Sequence, residues 1–180
     1  RTNTMILPFS TQLNGKPTYF LERIWEGLMR NVFDTDNEYQ AFLRLHRKQF
    51  GKYWDWFPES HKRLENPKIH TIREDAKDRW QVGTMIDFFI NCRQPTMFRF
   101  APRIPVVSIQ EIEIIYYTDR ETLIKDLPPK KAVVVGNSRL NQIEIEQLAQ
   151  NDGFDTIEDF FAYFNDDFKG KIIHWTNLKY

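Results

Sequence analysis

Lys68-Ile69-His70-Thr71-Ile72-Arg73 packs an amine, a hydroxyl and a guanidinium into six residues. Two chemistries are open to such a set. The hydroxyl can act as a nucleophile if a base takes its proton, and the amine can be that base. Alternatively, the three groups can hold a polar ligand with no bond broken. The first chemistry makes a demand on Lys68. A free amine titrates near about 10.4 and must fall by roughly 3 pH units to serve as a base at neutral pH, at a cost of about 4 kcal/mol. Burial and the neighbouring Arg73 push in that direction, whereas an ionised carboxylate nearby pushes back.

Ile69, Thr71 and Ile72 are β-branched and Pro67 precedes them, so the run reads as a strand entered at a proline. Alternation puts Ile69, Thr71 and Arg73 on one face and His70 and Ile72 on the other. Lys68 is out of phase with Thr71 and meets it only if the chain bends at Pro67-Lys68.

The motif K-x-x-T-x-R, followed by a polar turn and the segment Arg79-Trp80-Gln81-Val82-Gly83-Thr84, resembles the ASCH domain, a family of the PUA-like β-barrels. Phe20-Leu21-Glu22-Arg23-Ile24-Trp25-Glu26-Gly27 is similar to the helix preceding the motif in that family. Leu148-Ala149-Gln150-Asn151-Asp152-Gly153-Phe154 and the aromatic stretch after it are similar to the family's C-terminal half. The resemblance covers roughly residues 16 to 27 and 68 to 180. It implies one α+β domain over 1–180, a PUA-like mixed β-barrel of five to seven strands with surrounding helices, interrupted by an insertion at about 29–67.

ASCH proteins include amidohydrolases that cleave the acyl amide of N4-acetylcytidine. The resemblance then carries Thr71 over as nucleophile, Lys68 as its base and Glu158 as the accompanying acid. As a binding module, the same barrel mouth would take a nucleobase, nucleotide or single-stranded RNA, with Arg73 and Trp25 as ligand contacts. No cofactor is implied. A third reading makes the aromatic insertion, residues 37–57, a docking surface for a protein partner, or a wall and lid of the barrel mouth.

Composition narrows these readings. The 25 basic and 25 acidic residues cancel, against the clustered surplus that general duplex DNA binding requires. The single Cys92 excludes an intramolecular disulfide and an all-cysteine metal site and suits a reducing cytoplasm. His46 and His61 have no partners at ligand spacing, which argues against metal. Neither a signal peptide nor an apolar run of about 18 residues is present, so the expectation is a soluble cytoplasmic protein with no membrane partner. Residue 1 is Arg, and Met5 offers a natural start.

The elements that must position the motif follow in order. Met5–Phe9 reads as an edge strand ending near a proline, and Asn14-Gly15 as a turn. Thr18 can cap a helix over Tyr19–Leu28 with Phe20, Ile24 and Leu28 on one side and Gly27 as a weak point. Trp25 projects off that stripe, either widening the apolar face or reaching a barrel mouth. The insertion reads as helical from Asn37 to Phe57. Over residues 44–63, Arg44, Arg47, Lys48, Lys52, Lys62 and Arg63 stand against Asp55 and Glu59, a surplus of four. Basic and aromatic residues interleaved in this way can screen phosphates and stack bases, or the aromatics can simply be buried.

Strands are expected over Val82–Ile90, Met97–Ala101, Val106–Tyr117 with a bulge near Gln110-Glu111, and Ala132–Val135. Helices are expected over Gln142–Gln150 and Thr156–Phe164, the latter with Asp155 as N-cap and Glu158 at the reciprocal position. Lys171–Thr176 closes the domain. Residues 141–167 carry eight acids and neither Lys nor Arg, a counter-patch to the basic insertion.

Overall fold

Short runs with period-two alternation give this chain many brief ladders. A computed structural model describes residues 3–56 and 65–180. In chain order it contains β1 (Thr4–Phe9), β2 (Gln12–Leu13), β3 (Lys16–Pro17), α1 (Phe20–Asn31), α2 (Asn37–Phe50) and a 3-10 turn (Trp54–Trp56). Then come β4 (His70–Arg73), β5 (Met85–Ile90), β6 (Phe98–Arg99), β7 (Ile104–Pro105), β8 (Ser108–Tyr117) and α3 (Arg120–Lys125). The chain finishes with β9 (Lys130–Val135), β10 (Ser138–Arg139), α4 (Gln142–Asn151), α5 (Ile157–Tyr163) and β11 (Phe168–His174).

The fold is α+β. One sheet has the order β1-β5-β6, with β7 also on β5, and its β1–β5 pair is parallel. A second, antiparallel sheet has the order β10-β9-β8-β11-β4, and β2 with β3 forms a small hairpin. These ladders do not close into a barrel among the described residues. None of the helices among those residues is long and apolar enough to cross a membrane.

The second sheet carries a core on each face. Ile173 and Trp175 face a cluster built from β1, β5, α1 and α2, whereas Ile72, Ile172, Ile112 and Ile114 face one built with α4 and α5. This accounts for the change of apolar parity along β8. The expected bulge at Gln110-Glu111 is absent: Ser108 to Ile114 pair without interruption with His174 to Phe168. Both parities are apolar because both faces are covered.

β1 is an edge strand as expected, and Ile86, Phe88 and Ile90 share a buried face. Thr18 donates to Ser10 O at 2.7 Å and accepts from Phe20 N at 3.3 Å, so one hydroxyl ties the hairpin to the start of α1. Gly27 is a close approach rather than a weak point: a Cβ there would lie 2.6 Å from the Lys68 carbonyl oxygen. Helix α2 stops at Phe50 because Gly51 takes a left-handed conformation at φ 75°. Phe57, Glu59, His61, Lys62 and Arg63 lie outside the described residues. Of the insertion's aromatics, Trp54 is buried and stacks on Trp25 at 5.9 Å, while Tyr39 and Phe42 pack on the same indole. Tyr39, Phe42 and Phe50 of α2 are partly buried against the same core.

A buried lysine-aspartate pair as candidate functional site

The segment before β4 is threaded between two helices. Lys68 N donates to Arg23 O of α1 at 3.0 Å, and Ile69 N donates to Asn151 O at the end of α4 at 2.9 Å. The following Gly153 adopts φ +91°, where a Cβ would press on Phe20 and on the Lys68 side chain. Arg23, itself buried, clamps this loop through Gly153 O at 2.8 Å and Asp155 Oδ1 at 2.7 Å.

With the loop held there, the Lys68 amine lies 2.5 Å from Asp152 O and 2.9 Å from Asp152 Oδ1. The same Oδ1 accepts Ile72 N at 3.1 Å. Lys68 is 2% exposed and Asp152 4%, so this ion pair is fully desolvated. Burial pulls the Lys68 amine down to about 8, against the upward pull of Asp152. Burial pushes Asp152 up, yet Lys68 and His70 outweigh it and hold the carboxyl below its ordinary range.

On the opposite face of β4, His70 Nε2 lies 2.6 Å from the Tyr180 hydroxyl, which accepts from Asn151 Nδ2 at 2.8 Å. His70 Nδ1 lies 3.4 Å from Asp152 Oδ1 without forming a hydrogen bond to it. Burial lowers His70 and keeps its ring neutral. A buried polar chain thus runs from Asn151 through Tyr180, His70 and Asp152 to Lys68.

Thr71 and Arg73 share the other face of β4, as alternation requires. Thr71 is 3% exposed. Arg73 reaches Pro8 O of β1 at 2.5 Å, so the edge strands of the two sheets meet at its guanidinium. Lys68, Thr71, Arg73 and Asp152 line one small cavity of about 30 Å³, together with Ser10, Leu13 and Phe20. That volume holds a water or two. Larger cavities adjoin it: one of about 320 Å³ toward Asp155 and Tyr163, and one of about 390 Å³ along Pro8–Gln12 and Asn91–Gln94.

Three of the five candidate residues, Lys68, Thr71 and Arg73, are therefore brought together, and two are not. Glu158 lies on α5 beside a separate cavity lined by Pro129, Lys130 and Lys131. The N-cap of α5 is Thr156, which accepts from Asp159 N, because Asp155 is engaged with Arg23. Trp25 is fully buried and donates to Phe100 O at 2.7 Å, so it has no face free for a ligand. Trp25→Phe is expected to cost about 1–3 kcal/mol in chemical denaturation by orphaning that carbonyl, while ligand affinity stays at the wild-type value.

The Lys68 amine directs its hydrogen bonds to Asp152, and none to Thr71 is formed among the described residues. Asp152, His70, Tyr180 and Arg23 were not among the sequence candidates. No family model matches the chain, and no curated protein or solved structure matches it. Fold and site together define an α+β domain with a buried Lys-Asp pair at the seam of two sheets.

Proposed function

We propose that this chain is an ASCH-like domain of PUA-like architecture that binds a nucleobase-bearing ligand, a nucleotide or single-stranded RNA, at the seam between β1 and β4. The observation that carries this reading is the convergence of Lys68, Thr71 and Arg73 on one cavity with Asp152 as their acid. Amine, carboxylate and hydroxyl on one cavity offer donors and acceptors together, as the edge of a base requires. The cavity is small enough to admit a base's exocyclic group, with the ring and sugar in the larger cavities beside it. Asp152 takes the part that the resemblance gives to Glu158.

A second reading, amidohydrolysis of an acylated nucleoside such as N4-acetylcytidine, draws on one observation: burial brings the Lys68 amine to about 8, within reach of a general base. Thr71 would be the nucleophile. Titration with cytidine, N4-acetylcytidine and a short cytidine oligonucleotide, with product followed by chromatography, separates the two. For a binding domain, all complexes persist without turnover, and Thr71→Ala weakens them by about 0.5–1.5 kcal/mol. Release of acetate and cytidine that Thr71→Ala and Lys68→Ala each abolish would establish the hydrolase instead. Absence of binding by every one of these ligands would refute both.

A further inference from the structure

We propose that the groove running from the end of β1 to the β5–β6 turn is an anion subsite that receives a phosphate group, with Arg73 as its cation. This deepens the binding reading above and rests on it for the identity of the rest of the ligand.

The argument starts from charge. Around the seam, Lys68 is neutralised by Asp152 and Arg23 by Asp155. Arg73 forms no ion pair among the described residues. Its Nη2 is spent on a neutral carbonyl, Pro8 O, and its Nε is buried without a hydrogen-bond partner. The guanidinium also packs over the Phe9 ring, 5.2 Å from its centroid, which fixes its plane. A positioned guanidinium with donors in hand, whose carboxylate neighbour Asp152 acts on it only at longer range and is already paired with Lys68, is poised for a tetrahedral or planar anion, since its fork of N–H groups matches such oxygens.

The walls agree with this assignment. The cavity of about 390 Å³ on the Arg73 side is lined by Ser10, Thr11, Gln12, Asn91 and Gln94, neutral polar residues with amide and hydroxyl donors, and by no Asp or Glu. Asn91, on the wall of the groove, is a left-handed turn residue at φ 54°. The same Arg73 lines the small cavity with Lys68 and Thr71, so an anion in the groove and a base at the pair can belong to one ligand.

Calorimetric titration with cytidine, cytidine 5′-monophosphate, a cytidine dinucleotide and inorganic phosphate tests the subsite. In the wild type the monophosphate is expected to bind about tenfold to a hundredfold tighter than cytidine, as a charged hydrogen bond implies. Phosphate should compete with the monophosphate and leave cytidine untouched. Arg73→Gln should bring the ratio of monophosphate to cytidine affinity close to one. Gln94 is exposed, so Gln94→Glu tests the groove without disturbing the buried site, and it should cut the same ratio severalfold.

A terminal monoester is the ligand group if the monophosphate outbinds the dinucleotide, and a diester if the order is reversed; both outcomes support the subsite. Equal affinity for cytidine and its monophosphate, or a ratio unchanged in Arg73→Gln and Gln94→Glu, overturns it while the base-binding reading stands. Phosphate bound by wild type but not by Arg73→Gln, with no binding of cytidine, supports the subsite and overturns the base reading.

Discussion

Asp152→Ala is expected to cost about 3–5 kcal/mol of folding stability, the range for removing one partner of a desolvated ion pair. Its Oδ1 accepts from both the Lys68 amine and Ile72 N, and both donors are buried. Urea denaturation of the wild type and the variant measures the loss. The double change Lys68→Met with Asp152→Ala should recover much of it, since two apolar side chains in place of the pair leave no isolated charge. A cost below about 1 kcal/mol for the single change would mean that the pair is hydrated. The same variants should lose cytidine, because the cavity loses its acid or its amine.

The second large effect is a stability that climbs with alkaline pH. The Lys68 amine titrates at about 8 in the folded protein and near about 10.4 unfolded, so between those values the unfolded chain binds more protons. Stability therefore rises as pH increases from about 8 toward 10, by roughly 3 kcal/mol over the whole window. Above about 10 the buried Tyr180, held protonated by its burial, acts in the opposite sense. On the acid side, His70 and His174 are kept neutral by burial, His174 down to about 3, so stability falls as pH drops below the unfolded imidazole value. Asp152, depressed in the fold, adds a further loss at still lower pH. Denaturation of wild type between pH 7 and 10 should show the alkaline climb, and the Lys68→Met, Asp152→Ala double variant should lack it. A flat wild-type profile would contradict a desolvated Lys68.

The sequence made the motif strand legible because β-branched residues and strict alternation act over neighbours. Thr71 and Arg73 on one face, and His70 and Ile72 on the other, follow from geometry alone. Ile173 and Trp175 opposite Ile172 and His174 follow in the same way. What stayed hidden was set by distance along the chain. Asp152 reads locally as a turn beside Gly153, and nothing near it announces a lysine 84 residues away. Glu158 matches the family's acid by resemblance and the reciprocal position of a capping box by spacing, and neither signal reports distance from Lys68. The cap moved by one position once Asp155 was drawn to Arg23, a partner 132 residues off. Trp25 was ambiguous for a related reason: whether an indole is core or rim depends on whether another element covers it, and Trp54 does. The helix Arg120–Lys125 had a readable signal, Asp119 and Thr122 capping each other, in a stretch where hydrophobic periodicity is too short to register.

The bond from Ile72 N to Asp152 Oδ1 also bears on behaviour between molecules. β4 is the last strand of its sheet, and an outward-facing amide on such a strand is a template for pairing with another chain. Asp152 occupies that amide with a charged side chain and so acts as a gatekeeper against edge-to-edge association. That edge is itself buried, with His70, Thr71 and Ile72 nearly inaccessible, so a second copy reaches it only where the loop carrying Asp152 has come away.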